Sequence, residues 1–510
     1  MSATHHDRSP LPMQPATRGL ASSSQPASSS RSQQRRCGLR VGRHLAAVLI
    51  GWAVFPGVTS AQPAPPQPAE QVFTLDQALQ FALEHYPSVR AALEQITATS
   101  ANVSVAKAAS LPRLDSLWQT NRATANNVFG QLLPQSVIPA LSGPVLPSSS
   151  FDSVWGSAAG ALFSWEPVDF GLRSAVVREA EADVARATAT EGLTRLGVQS
   201  AVGSAFLNVV SAQRAVAAAE ADLQRREVLG RAVRILVENQ LRPGAEASRS
   251  DAELAAARTR SIQARRMVAL AQATLGQVLG IADGTVTVDS ARLLEHVPDG
   301  SVGTSTLAEH PLAQAGQAAV DLVHAREDVL TKTDRPRLYL QSSVFARGSG
   351  ANPDGRLDGG VDGLGLERAN WAAGVQVVFP NLFDFSSLHS RRAAAEALTR
   401  AEAARYGEAV LTITSQQRAA DAMLDAARAI AQNTPVQLAA AQQSEAQARA
   451  RYDAGLASIV EVAEAQSLLA NAEYQDAVAR VDVWRALLAQ AMAQGHIAPF
   501  MQFLRGPGAQ

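Results

Sequence analysis

The residues able to do chemistry in this chain are few, and their spacing suits none of the common active sites. Its only lysines are Lys107 and Lys332, and neither follows a glycine, so no phosphate-cradling loop of the Walker type exists. His5 and His6 lie near the start, and His85, His296, His310, His324, His389 and His496 are scattered along the rest without metal-ligand spacing. A His-Glu-x-x-His helix and a Gly-x-Ser-x-Gly elbow are both absent, and Gly348 and Gly350 lack the third glycine of a dinucleotide loop. The run Asp354-Gly355, Asp358-Gly359, Asp362-Gly363 offers carboxylates, yet lacks the alternate-residue ligands and closing glutamate of a calcium loop. A solvated hairpin loop facing outward is the favoured reading over a cation site. With Cys37 as the single thiol, disulfide, zinc-cluster and thiol chemistry are excluded, and no enzyme, metal site or cofactor is expected.

Chemistry being absent, architecture must carry the function. The chain has 510 residues, 46% hydrophobic but only 5% aromatic and 18% charged, a balance in which alanine dominates and close-packed helices are expected. Residues 1–43 are rich in Ser, Gln, Pro and Arg, and Leu45 to Phe55 form an apolar run too short to span a membrane. Small residues ending at Ala61 complete the pattern of a cleavable export signal, with Met13 as an alternative start. Cleavage after Ala61 leaves 38 basic against 45 acidic side chains, which argues against nucleic acid as a partner. Any membrane contact must then be made by strands, because no later stretch is long and apolar enough for a spanning helix.

The remainder is written twice. Pro87 recurs as Pro311, and Leu111-Pro112-Arg113-Leu114 recurs as Arg335-Pro336-Arg337-Leu338. Val168-Asp169-Phe170-Gly171 recurs as Phe383-Asp384-Phe385-Ser386, and Arg242-Pro243-Gly244 is set against Asp453-Ala454-Gly455. An ordered set of matches indicates duplication. The expected organisation is a leader at 1–61, a first repeat at 62–300, a second at 301–497 and a tail at 498–510. The strand hairpins fall at 112–170 and 336–385, and the helical hairpins reverse near 244 and 455. Val202, Val209, Val216 and Leu223 step by seven beside the small row Val198, Ala205, Ala212 and Ala219, the pattern of a closely approaching coiled coil.

The strand pairs alternate as a lipid-facing wall does. Trp371, Ala373, Val375, Val377 and Phe379 form one face, and Trp155, Ala159, Ala161, Phe163 and Trp165 its counterpart. Trp155, Trp165, Trp371 and Phe379 are the expected membrane-interface aromatics. Four strands cannot close a barrel, so the chain must oligomerise.

This order of elements resembles the TolC-type outer-membrane efflux and secretion channels, over roughly residues 72–495. The most specific match is Arg451-Tyr452-Asp453-Ala454-Gly455-Leu456-Ala457-Ser458-Ile459-Val460-Glu461-Val462, similar to that family's second hairpin tip. The resemblance implies a mainly α fold with a small β part: duplicated coiled hairpins forming a periplasmic helical barrel, and four strands per chain in a trimeric twelve-stranded outer-membrane β-barrel. It implies a homotrimer that passively conducts substrates outward through a gated mouth, served by a periplasmic adaptor and an inner-membrane pump of the RND or ABC type. Gly244, Gly455, Leu456 and Ser458 would be adaptor-docking tip residues, and Glu461 and Glu464 a carboxylate ring favouring cations at the mouth. Tyr452 matches a gate tyrosine and Asp251 is its candidate partner, while Ala457 replaces a gating arginine of some members. The alternative is a periplasmic coiled-coil adaptor, which would carry one hairpin.

Overall fold

A computed structural model describes residues 71–505, apart from 129, 140–142, 283–285, 292, 294–297 and 299. The leader, its cleavage site, Cys37, His296 and the end of the tail lie outside the described residues.

In each repeat a proline opens the helix that leads into the strand hairpin. A short strand β1 (Gln71–Phe73) leads into α1 (Leu75–His85), whose start is closed by a Thr74/Gln77 capping box. Pro87 is the first residue of α2 (Pro87–Ala108), where its missing N–H costs nothing. After Pro112 the chain turns to strand, giving β2 (Arg113–Thr124) and β3 (Ser153–Val168). Then come α3 (Leu172–Glu238) and α4 (Gly244–Leu279), followed by β4 (Val286–Val288), which pairs in parallel with β1. The second repeat replaces α1 by a single 3₁₀ turn, Leu307–Glu309, capped by Thr306, before α5 (Pro311–Lys332). It continues with β5 (Arg337–Ser349), β6 (Arg368–Val378), α6 (Phe385–Asp453), α7 (Ile459–Ala493) and a short α8 (Ala498–Arg505).

The helix α3 has 67 residues and α6 has 69, so each is about 100 Å long at 1.5 Å per residue. Copy one enters its long helix through Asp169, whose carboxylate accepts from Gly171 N–H at 3.0 Å and Arg173 N–H at 2.6 Å, with Gly171 at φ 96°. In copy two Ser386 already lies inside α6, so no glycine is needed there. The two repeats meet in one antiparallel sheet of order β2-β3-β5-β6, which leaves β2 and β6 as open edges.

The largest apolar core lies where α1, β1, β4 and α8 pack around the middle of α3 and the far ends of α4 and α7. Phe206, Leu207, Leu487, Leu488 and Phe500 are fully enclosed there. Gly203 is required at this crossing, since a Cβ would lie 2.7 Å from Leu488 Cδ2. The seven-residue row is buried at Val202 and Val209 and only half-buried at Val216 and Leu223. Among the described residues no helix is long and apolar enough to cross a membrane.

Candidate functional site

The tips of the two helical hairpins are built on the same plan. In the second, Gly455 takes the left-handed conformation at φ 75° and Leu456 N–H bonds Arg451 C=O at 2.8 Å, a helix stop in which an orphan carbonyl is satisfied. In the first, Gln240 occupies that conformation at φ 58° and Leu241 N–H bonds Leu236 C=O at 2.8 Å. Gln240, and not Gly244, is therefore the counterpart of Gly455. Gly244 is the first residue of α4, exposed and with nothing within 4 Å of a would-be Cβ, and its counterpart is Ile459, the first residue of α7. The offset between copies is 215 at both positions, the same as between Asp169 and Asp384, so the arms leading to the two tips are equal in length. Leu241 and Leu456 are both exposed apolar tip residues, at 67% and 72%. Ser458 precedes α7 with its side chain making no cap bond.

Between the tips lies a compact tie. Arg242 donates from Nη2 to the Tyr452 carbonyl at 2.9 Å, and its Cζ sits 4.6 Å from the centre of the Tyr452 ring. The Tyr452 hydroxyl donates to Glu246 Oε2 at 2.9 Å, and Arg242 Nη1 stands 3.9 Å from Glu246. Tyr452 is otherwise enclosed with Val233, Ala457, Ile459 and Val462. Burial and the bonded, negative Glu246 push its phenol pKa up to about 12, opposed in part by Arg242. The tyrosine thus takes Glu246 as its partner and not Asp251, which instead pairs with Arg234 at 2.6 Å on its own hairpin. At the shared offset Arg242 is the repeat counterpart of Ala457.

Glu461 and Glu464 lie near the start of α7 on one face; Glu461 pairs with Arg451 at 3.3 Å, and Glu464 is exposed. Higher up, Arg226 and Asp222 are buried to 3% and 2% side-chain exposure. Arg226 bonds Asp222 and Glu253, both at 2.9 Å, and Ser467 Oγ at 3.0 Å, while Arg260 completes Asp222 at 2.8 Å. Next to it Arg225 grips Glu473 with both nitrogens, at 2.9 and 2.7 Å. This node joins α3 to α4 and α7. Charges on a helix ordinarily read as a solvated face; the available signal was the Asp222/Arg226 spacing of four beside Leu223 of the apolar row.

The sheet has two unlike faces. Cross-strand register places Leu114, Trp118, Phe163, Val344, Trp371, Val375 and Val377 on one side, and all are exposed, between 37% and 78%. The opposite side carries Arg113, Asp115, Gln119, Asn121, Gln341, Ser343, Arg347, Arg368, Asn370 and Gln376. At the end of the sheet joined to the helices, Trp165 donates from Nε1 to Ser110 C=O at 3.0 Å, and Phe379 follows β6, 58% exposed. At the loop end Trp155 is only half-exposed, with Arg122 Cζ 6.0 Å from its ring. Here the apolar face is covered by the chain itself: the loop after β5 folds over it, and Ser157 Oγ donates to Gly365 C=O at 3.3 Å. A Cβ at Gly348 would lie 1.8 Å from that carbonyl oxygen. In the same loop Asp358 is held by Asn352 Nδ2 at 2.5 Å and by Arg356 at 3.3 Å, and Asp354 accepts from Arg356 N–H, so these carboxylates brace the turn.

A polar face, an apolar exposed face and two open edges define a segment of a membrane barrel wall, carried on paired helical hairpins. The chain belongs to the outer membrane efflux protein family, whose model matches residues 78–281 and 302–495. It is 25% identical over 446 residues to protein CyaE of Bordetella pertussis, covering 85% of this chain and 87% of that one. In fold it is similar to the Campylobacter jejuni outer-membrane channel CmeC, at TM-score 0.67 and 16% identity over 82% of this chain and 85% of that chain. It is also similar to the transmembrane channel CusC, at 0.69 and 14% over 86% and 96%. The outer-membrane protein VceC of Vibrio cholerae gives 0.64 and 17% over 83% and 96%. The protein is accordingly a trimeric channel of the outer membrane with a periplasmic helical extension, its four-stranded sheet one part of a twelve-stranded barrel. The single-hairpin adaptor alternative does not survive: the chain carries two hairpins and a barrel segment.

Proposed function

We propose that this protein is the exit duct of a tripartite efflux or type I secretion machine, passively conducting substrates that a periplasmic adaptor and an inner-membrane pump of the RND or ABC type deliver to its mouth. The reading rests above all on the Arg242–Tyr452–Glu246 tie. It fastens the second hairpin tip to the first at the end of the long helices, where a duct of this shape would be closed. The α6/α7 tip moves away from the α3/α4 tip on opening, breaking the tie. Leu241 and Leu456, with Gly455 and Ser458 beside them, form the adaptor-docking surface. Glu464, repeated three times around the axis, biases the mouth toward cations, with Glu461 partly neutralised by Arg451.

The test is single-channel recording on purified trimers. A cation–π contact and a hydrogen bond to a largely enclosed group together contribute about 2–3 kcal/mol. Arg242→Ala should therefore shift the closed-to-open balance on the order of 30- to 150-fold and raise mean conductance, with trimers intact on gels. Unchanged conductance would remove the tie from the gate.

A further inference from the structure

The connection between β2 and β3 runs from Ala125 to Asp152, far longer than a hairpin needs, and its residues 130–138 lie against the sheet. Ile138, 3% exposed, packs on Ala158 and Phe345 with Leu117, Leu132 and Val137. Asn121 Nδ2 donates to Gln131 C=O at 2.7 Å, and Arg347 Nη2 to Gly130 C=O at 3.1 Å. Gln135 braces the turn from within: its Oε1 accepts from Val137 and Ile138 N–H at 2.6 and 2.7 Å, and its Nε2 donates to Ile138 C=O at 2.7 Å.

Every wall residue in this contact belongs to the polar, lumen-side face. Leu117 stands opposite Gly160, and Gly160 opposite Phe345. Gly160 is glycine because a Cβ there would lie 2.7 Å from Phe345 Cβ and 3.2 Å from Ile138 Cγ1. A water-filled lumen gives no reason for Leu117, Ala158 and Phe345 on its wall; a covering layer does. The contact sits near the middle of β3 and reaches across three of the four strands.

Size decides what this does to the bore. Twelve strands about 4.8 Å apart and tilted about 40° close at a wall radius of about 12 Å. A layer packed on a sheet lies about 10 Å from it. Three such layers, one per protomer, meet close to the axis. We propose that residues 130–138 form an inward plug at mid-barrel, anchored on the wall through Ile138 with Leu132 and Val137, and that this layer sets the size of solute that can pass the barrel. This constriction stands apart from the hairpin tips and does not depend on the gate reading.

Graded polyethylene-glycol maleimides added to intact cells test it, because a reporter beneath the plug is reached from outside without crossing the periplasmic mouth. Gln376→Cys supplies the reporter, on the lumen face near the periplasmic end of β6, in a Cys37→Ser background. With the loop unaltered, a small maleimide should label and reagents of about 1 kDa and above should be excluded. Gln135→Ala, which unbraces the turn, and replacement of residues 131–139 by a short Gly-Ser link should each raise labelling by the large reagents at least tenfold. The proposal is overturned if the large reagents label the unaltered loop as fast as the small one. It is equally overturned if either trimeric variant leaves the size profile unchanged.

Discussion

The two helical hairpins share arm length, tip geometry and a common offset, yet they are fastened differently. Among the described residues five ion pairs cross from α3 to α4: Arg226–Glu253, Arg260–Asp222, Arg234–Asp251, Arg258–Glu227 and Arg265–Glu220. Only Arg451–Glu461 crosses from α6 to α7. The second hairpin also carries Pro435 inside α6, which removes a backbone hydrogen bond to Ala431, whereas the matching position of α3 is Glu220. Thr434 beside it is buried against Asp476, at 3.0 Å. Duplication supplied two equal arms; their later divergence left one laced with ion pairs and the other crossed by one, a difference that the proposed opening of the second tip requires.

The comparison can be broken hardest at the node. Arg226→Ala strands Asp222 without one of its two cations and leaves Glu253 without its partner, a loss of about 3–5 kcal/mol for a buried pair. Arg451→Ala at the exposed pair should cost less than about 1 kcal/mol. Thermal melting of detergent-solubilised trimers should separate the two; equal effects would mean that the hairpins are braced alike. Pro435→Ala restores a helix-interior bond, worth up to about 3 kcal/mol. Hydrogen exchange should slow in residues 436–453 and stay unchanged in 217–238. If native exchange already matches in the two stretches, the swinging arm is not α6.

A gentler probe is pH. The Tyr452 phenol is held up to about 12, above its ordinary value near 10, so the neutral hydroxyl is the form the fold favours. Its contribution is complete below pH 10 and is lost as pH rises from 10 through 12. Conductance should stay flat to pH 10 and climb above it, and Tyr452→Phe should abolish the climb. The smallest effect concerns the tips themselves. Gln240 holds a left-handed conformation that Gly455 adopts freely, so Gln240→Gly should stabilise the first tip by about 1 kcal/mol, read as a small rise in melting temperature.

How much of this was legible depended on whether a residue's meaning is local. Pro112 and Pro336 mark the strand hairpins in the sequence, and the matched pair Pro87 and Pro311 opens α2 and α5, because a missing N–H restricts position whatever surrounds it. Alternation in β6 was readable because both faces there remain uncovered. The upper part of β3 was less so: Ser157 interrupts its apolar face where the chain's own loop lies over it, and Ala158 and Gly160 answer to a second loop on the other side. A glycine marks the reversal in copy two but not in copy one, where Gln240 takes the left-handed position four residues before Gly244. At the register that Gln240 sets, Arg242 stands where copy two has Ala457, a match that aligning on Gly244 hides. The buried node is harder to read, because an i,i+4 charge pair is common on solvated faces and only its place beside Leu223 of the apolar row sets Asp222/Arg226 apart.

The cation and the aromatic ring of the tie lie in opposite halves of the polypeptide. At the shared offset Tyr452 corresponds to Val237, just as Arg242 corresponds to Ala457. A hybrid made of two first halves would hold arginines with no ring to cover, and one made of two second halves would hold rings with no guanidinium above them. Descendants of a single ancestral segment have thus become mutually dependent, and neither can any longer stand in for its twin.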